Sequence, residues 1–125
     1  MADVLAERRR ERERLIDLGR DYVERLSTRL EVEAAAVVGS VARGDFNVWS
    51  DVDVVVIVEG LPARAPDRAG LLLVDAPPRV QPVGFSKDEF VAALGKRNPL
   101  AHETVERGVV LRGRALIGEL AAAKR

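Results

Sequence analysis

Two aspartates one residue apart, Asp51 and Asp53, open the most apolar segment of the chain, which runs on to Val58. Side chains two apart in a β-strand point to the same face, with Cα atoms ~6–7 Å apart, so a strand over 51–58 would present both carboxylates together. Aspartate is disfavoured in strands, and two carboxylates this close repel unless a positive charge lies between them. Magnesium is usually held by one or two carboxylates together with substrate phosphates. The pair therefore indicates a site for a divalent cation and a phosphorylated ligand.

A glycine–serine pair, Gly39–Ser40, ends the preceding apolar segment, which runs over 34–38. Turns of this kind bind phosphate through backbone N–H groups and the dipole of a helix terminus. Gly39 would let a triphosphate approach the backbone closely, and Ser40 would donate a hydrogen bond to it. If the two strands are neighbours, the phosphates lie over the two aspartates, and one ligand brings both the cation and the anion.

Each motif also has a purely structural explanation. A Gly-Ser pair alone is an ordinary turn, and Asp-x-Asp at the start of a strand could be two exposed acids. Their combination, separated by ten residues and each joined to an apolar strand, favours function. Trp49, beside the aspartates, could stack on a base or simply pack. The single histidine, His102, is interpreted as a surface residue.

The elements that must position these residues predict an α+β domain, a small mixed β-sheet flanked by helices. The first helix, predicted from Asp3 to Leu30, carries apolar residues at helical spacing in its second half. Its charged run from Glu7 to Arg14 is interpreted as a solvated extension held by ion pairs, which we favour, or as a surface for a partner. The other predicted elements are strands over 34–38, 51–58, 79–85 and 109–111, a turn or short helix with a loop over 41–50, and helices over 65–75, 86–94, 98–108 and 115–124.

Two local signals refine these elements. Pro82 predicts an edge position or an irregularity for the strand over 79–85, because proline cannot donate to a sheet ladder. Ser86, with Glu89 three residues on, predicts a capping box at the start of the next helix.

The composition limits the classes of function. One domain accounts for all 125 residues, and the absence of cysteine excludes disulfides, zinc–thiolate sites and thiol nucleophiles. The 20 basic and 20 acidic residues balance, which argues against binding to extended nucleic acid. No apolar run approaches the ~18 residues of a membrane span, and the N-terminus has no signal-peptide core, so we expect a cytoplasmic location and no membrane partner.

The residues around both motifs resemble a known signature. Val38 to Asp45 (VGSVARGD) and Ser50 to Val56 (SDVDVVV) look like the signature of nucleotidyltransferases of the DNA polymerase beta superfamily. The chain is most similar to the minimal nucleotidyltransferases, which are often the antitoxin partners of HEPN-domain toxins. The resemblance covers the core over 32–112 and implies the polymerase-beta-type nucleotidyltransferase fold.

The resemblance also implies a reaction and the residues that perform it. Asp51 and Asp53 would be catalytic and would bind Mg²⁺ in a two-metal site. The nucleotide-binding residues would be Gly39, Ser40, Arg43 and Ser50. A nucleoside monophosphate, usually AMP from ATP, would pass by in-line attack on the α-phosphate to a hydroxyl of a protein or small molecule, with pyrophosphate leaving. The partners so implied are a nucleoside triphosphate and a HEPN-type toxin, and self-association stays open.

One position departs from the family. Its third carboxylate lies on the next strand, where the aligned residue in this chain is Gln81. An amide carries no charge and is no useful base, and losing a general base typically costs ~10²–10⁴-fold in rate. Asp75, Asp88 or Glu89 could substitute, although nothing in the sequence places them there. The alternative function is therefore a weakly active or inactive nucleotide-binding antitoxin or interaction module, and a third hypothesis is a structural pairing protein that uses the long first helix.

Overall fold

Four β-strands form one mixed sheet with helices on both faces in the computed structural model, which describes residues 2–123. The elements in chain order are α1 (Ala2–Leu26), β1 (Glu31–Val38), α2 (Gly39–Arg43), β2 (Val52–Glu59), α3 (Ala65–Leu73), β3 (Val80–Phe85), α4 (Lys87–Gly95), α5 (Pro99–Glu106), β4 (Val109–Arg112) and α6 (Arg114–Ala123). The strand order is β3-β2-β1-β4. β1 runs antiparallel to both β2 and β4, and β2 runs parallel to β3. The predicted α+β class is confirmed.

The central strand β2 is apolar on both faces because helices cover both of them. Its residues Val52, Val54, Val56 and Val58 pack with α1, α2 and α3 in one core cluster. Val55 and Ile57 belong to the opposite cluster, with α4, α5 and α6. Alternation along the strand puts Asp53 on the Val55 face, at the end where β2 begins.

Helix α1 ends at Leu26 instead of the predicted Leu30. The hydroxyl of Ser27 donates to the carbonyl of Val23 at 2.7 Å, and that of Thr28 donates to the carbonyl of Arg25 at 2.7 Å. Such local side-chain bonds compete with the helical pattern, and the chain turns here into β1. At the other end of the chain, the predicted helix terminus at residue 124 lies outside the described residues, as does residue 1.

The charged run at the start of α1 is only partly solvated. Arg14 pairs with Glu11, and Arg10 is exposed, as the favoured interpretation requires. That interpretation is incomplete for Arg8 and wrong for Arg12, because both side chains donate hydrogen bonds to main-chain carbonyls in the segment after β1. No helix in the described part of the chain combines the length and apolar content that crossing a membrane requires.

The local signals around β3 and the helices that follow it are confirmed. β3 is an edge strand, which accommodates Pro82. Ser86 and Glu89 form both hydrogen bonds of the capping box.

The side chain of His102, on α5, is partly exposed, and its Nε2 lies 3.1 Å from the carbonyl oxygen of Leu94.

Candidate active site

The glycine–serine bend and the second aspartate are in direct contact. The antiparallel register pairs Val38, the last residue of β1, with Asp53. The next residue, Gly39, has a φ of +74°, and a Cβ placed on it would lie 2.5 Å from Oδ2 of Asp53. Glycine is therefore required for two reasons. The left-handed backbone favours it, and any side chain would collide with the carboxylate of Asp53. The juxtaposition that the sequence predicts for the two motifs is present.

The two aspartates share a small acidic region with Arg43 nearby. Asp51 precedes β2, which begins one residue later than predicted, and it is exposed, whereas Asp53 is half-buried. Burial raises the pKa of Asp53 above its ordinary value of 3.8, and the charges of Asp51 and Glu103 raise it further, while Arg43 lowers it. Within residues 2–123, neither aspartate is part of an ion pair. Two neighbouring carboxylates that form no ion pair fit a divalent metal ion.

The described residues supply only part of a metal coordination sphere. They contain no group of three or more His, Cys, Asp or Glu side chains placed to hold a metal ion. Magnesium commonly takes one or two protein carboxylates and completes its octahedron with phosphate oxygens and water. Asp51 and Asp53 therefore fit a metal that arrives with a polyphosphate better than one held by the protein alone.

The helix after β1 begins at Gly39 itself, so Ser40 lies in its first turn and not in a bend before it. The carbonyl of Ser40 accepts hydrogen bonds from the N–H groups of Gly44, at 2.8 Å, and Asp45, at 3.1 Å. The Ser40 hydroxyl makes no hydrogen bond within residues 2–123 and is partly exposed. Its proton is therefore available to a ligand.

Arg43 and Glu103 form an ion pair that joins α2 to α5 beside the aspartates. Nη1 of Arg43 lies 2.6 Å from Oε1 of Glu103, and its Nε lies 3.3 Å from Oδ2 of Asp45. The sequence predicts Arg43 near phosphate but does not single out Glu103, which is sixty residues further along the chain. The pattern predicts the helix that carries Glu103, yet no sequence signal shows that this helix faces α2.

The loop before β2 is held by hydrogen bonds within it and by one from Arg79. The hydroxyl of Ser50 accepts from the N–H of Asn47 at 2.9 Å, and its carbonyl accepts from Nη2 of Arg79 at 2.8 Å. Trp49 is 88% exposed, so the packing interpretation of this residue is wrong and stacking on a base stays a prediction. Ser50 acts here on the loop, and a direct contact with nucleotide stays a prediction.

Gln81 lies beside Asp53. The parallel register of β2 and β3 makes the two residues Cα partners, and Gln81 is exposed. Register partners in neighbouring strands present their side chains on the same face. The position at which the resemblance implies a third carboxylate is therefore next to Asp53 and carries an amide.

The acids that could have replaced this carboxylate are placed elsewhere. Asp75 pairs with Arg29 on the α1 side, at 2.5 Å. Glu89 closes the capping box of α4 and pairs with Arg68 at 3.0 Å. Asp88 lies in the first turn of α4, which follows the end of β3 remote from Gln81. None of the three takes the place of the missing acid.

Replacing Gly39 with alanine tests the contact between the bend and Asp53. We expect Gly39→Ala to lower the free energy of unfolding by about 1–2 kcal/mol, because alanine is strained in the left-handed conformation. The added methyl group should also displace the Asp53 carboxylate. Gly60→Ala is the matched control, because Gly60 has a φ of +79° and nothing within 4 Å of an added Cβ. Chemical denaturation should show similar backbone costs, whereas Mg²⁺–nucleotide binding should be lost in the Gly39 variant alone. Full binding by Gly39→Ala would show that the contact is unimportant.

Comparison with known proteins agrees with this geometry. Residues 20–107 match the sequence model of the nucleotidyltransferase domain, a span that contains both motifs and Glu103. No curated protein matches the chain. A crystal structure of a proposed nucleotidyltransferase from Sulfolobus solfataricus aligns with a TM-score of 0.63 over 82% of this chain and 84% of that one, at 20% sequence identity. This structural likeness bears on the fold.

The family match covers well over half of the chain and includes the bend, both aspartates and the strands that carry them. The fold is shared with a solved structure of the same proposed class. As the resemblance of its motifs predicts, the chain belongs to the nucleotidyltransferase domain family and is a transferase.

Proposed function

We propose that the chain transfers a nucleoside monophosphate from a Mg²⁺-bound nucleoside triphosphate, with ATP as the first candidate, to a hydroxyl group. The observation that carries the proposal is the contact between Asp53 and Gly39. It puts a carboxylate, with Asp51 close by, against the glycine at which α2 begins. A metal ligand and a phosphate-binding bend so close together suit a substrate that consists of a divalent cation and a polyphosphate.

Each residue then has a defined task. Asp51 and Asp53 would hold the metal, and the Ser40 hydroxyl would donate to a phosphate oxygen. Bound there, Mg²⁺ would polarise the α-phosphate and neutralise the leaving pyrophosphate. Arg43 uses Nη1 and Nε for Glu103 and Asp45, which leaves Nη2 for the phosphates. An arginine held in place in this way adds positive charge without having to be ordered when the substrate arrives.

The proposed acceptor is a hydroxyl on a partner protein, and the resemblance to minimal nucleotidyltransferases supports a HEPN-type toxin. Modification would then neutralise that toxin, and the chain would act as its antitoxin. A second function is favoured by Gln81, since an amide, and not the third carboxylate that the resemblance implies, is the register partner of Asp53. In that case the chain binds nucleotide and partner but transfers little.

A transfer assay with two labels tests the proposal. The chain is incubated with Mg²⁺, a candidate acceptor such as a HEPN protein encoded beside it, and triphosphate labelled at either the α- or the γ-phosphate. Attack on the α-phosphate leaves α-label on the acceptor and releases γ-label in pyrophosphate. Bound nucleotide without transferred label would favour the second function, and absence of triphosphate binding would contradict both.

Trp49, the single tryptophan, offers a direct test of nucleotide binding. We expect its fluorescence to change on addition of Mg²⁺ with triphosphate and not with Mg²⁺ alone. If it stacks on the base, Trp49→Ala should weaken binding by about 1–3 kcal/mol, roughly 5- to 150-fold in Kd, and Trp49→Phe by much less. Calorimetry measures these variants, with Val48→Ala as the control because Val48 is its exposed neighbour, at 77%. Equal affinities for Trp49→Ala and Val48→Ala would exclude stacking.

A further inference from the structure

Two arginines of α1 reach across to the segment that connects the bend with the aspartates. Nε and Nη2 of Arg12 donate to the carbonyls of Val41, at 2.9 Å, and Ala42, at 2.8 Å. Both carbonyls belong to α2, the helix that starts at Gly39. Carbonyls in the last turn of a helix have no partner within it, so one guanidinium satisfies two groups that would otherwise need water.

The second arginine holds the loop that follows α2. Nη2 of Arg8 donates to the carbonyls of Gly44, at 3.0 Å, and Phe46, at 2.5 Å. Its guanidinium also lies over the ring of Phe46, 4.2 Å from the centroid. Phe46 is only 4% exposed, so this contact joins α1 to the buried side of the loop. Arg8 and Arg12 are four residues apart and therefore project from the same face of the helix.

We propose that Arg8 and Arg12 are positioning residues of the active site, which fix α2 and its loop so that Gly39 stays against Asp53 before substrate binds. The inference rests on the proposed function. Together the two side chains bond four carbonyls between Val41 and Phe46.

The local structure of this segment explains why it needs such support. A helix of five residues is too short to be stable by itself, because nucleation is costly and few hydrogen bonds follow it. The bend must nevertheless be held rigidly, since misplacing a binding group by about 1 Å can cost ~10²-fold in rate. The rigid element at hand is α1, whose second half is anchored in the core by Leu15, Ile16, Tyr22 and Val23.

The same helix provides a matched control. Arg10 lies between the two positioning residues, is exposed, and makes no hydrogen bond to another element in the described part of the chain. Arg8→Met and Arg12→Met keep the apolar stem and remove the donors, and Arg10→Met makes the same change where no such bond exists. Arg12→Lys retains the charge but can reach only one of the two carbonyls well, because it lacks the planar fork.

The test measures KM for Mg²⁺–triphosphate, kcat, and the fluorescence anisotropy of Trp49 without nucleotide. We expect Arg8→Met and Arg12→Met to raise KM about 10-fold, to lower kcat/KM by about 10- to 100-fold and to lower the anisotropy of Trp49. Arg12→Lys should give values between those of Arg12→Met and wild type in all three quantities. Arg10→Met should match wild type in every measurement. Mere loss of folded protein would lower kcat and leave KM unchanged.

The result that would overturn the inference is an unchanged KM and anisotropy in both Arg8→Met and Arg12→Lys. These two variants suffice if Arg12→Met does not fold. Wild-type protein that neither binds nor transfers nucleotide would refute the proposed function. In that case the anisotropy of the nucleotide-free variants still shows whether the two arginines hold the loop, so the two failures are distinguishable.

Discussion

Asp53→Asn is expected to reduce nucleotidyl transfer by at least about 10³-fold and to remove the stabilisation that Mg²⁺–triphosphate gives the protein. The carboxylate is one of two that would hold the metal. Metal-ion catalysis lowers the activation free energy by several kcal/mol, and each 1.36 kcal/mol corresponds to a tenfold change in rate. In wild type, ligand at 100 times its Kd should add ~2.7 kcal/mol, which raises Tm on the order of 10 °C for a domain of this size. The variant should show almost no such rise.

Without ligand, the same substitution should stabilise the protein. The pKa of Asp53 is raised in the folded state, first by burial and then by Asp51, so folding favours the protonated form. The unfolded chain ionises first as pH rises from the ordinary value of 3.8, and wild type therefore loses stability up to the raised folded value. Asp53→Asn does not ionise, so its advantage in Tm should be largest at neutral pH and vanish toward acid.

Thermal melts across pH, with and without Mg²⁺–triphosphate, check both effects. Asp67→Asn is the control, because Asp67 is an exposed acid in the first turn of α3, away from the bend. We expect that variant to follow wild type in transfer and in the response to ligand. Transfer by Asp53→Asn within a few-fold of wild type would contradict the proposed role of Asp53 in the site. A ligand-free Tm equal to that of wild type at neutral pH would contradict the raised pKa of Asp53.

The parts of the site that could be predicted from sequence are those fixed by local geometry. Alternation within β2 puts Asp53 on one face whatever the strand pairs with, and Gly39 follows a strand that has to end at a bend. Their contact depends on one further condition, that β1 and β2 are neighbours, which a short connection makes favourable. The apolar strand also indicates its own burial, since only a strand covered on both faces carries valine at almost every position.

The parts that could not be predicted depend on how helices dock. Glu103 faces Arg43 because α5 packs against the same face of the sheet as Val38 and Val55, and nothing near position 103 encodes that partner. The charged run of α1 shows the same limit. Arg12 and Arg10 occupy similar sequence surroundings, and only the direction of α1 across the sheet decides which one meets the carbonyls of α2.

Gln81→Glu is expected to raise the rate of transfer, by up to about 10²–10⁴-fold, which is the usual contribution of a positioned general base. Gln81 is the register partner of Asp53, so a carboxylate there would lie beside Asp53, where we propose that the metal binds. It could accept the proton of the attacking hydroxyl and contribute a third charge to the metal. The same charge should destabilise the protein without ligand, because three neighbouring carboxylates repel one another.

Steady-state kinetics and their pH dependence distinguish a base from a general electrostatic effect. A new base predicts that kcat of Gln81→Glu rises with pH through the pKa of the added carboxyl, a limb that wild type lacks. Gln81→Met, which is similar in size and uncharged, should behave like wild type if the amide performs no chemistry. Adding Asp53→Asn to Gln81→Glu should abolish the gain, since the new carboxylate would act through the metal that we propose Asp53 holds. An unchanged or lower rate in Gln81→Glu would mean that the missing carboxylate at position 81 does not limit transfer. The hypothesis of a weakly catalytic nucleotide-binding module would then lose its main support.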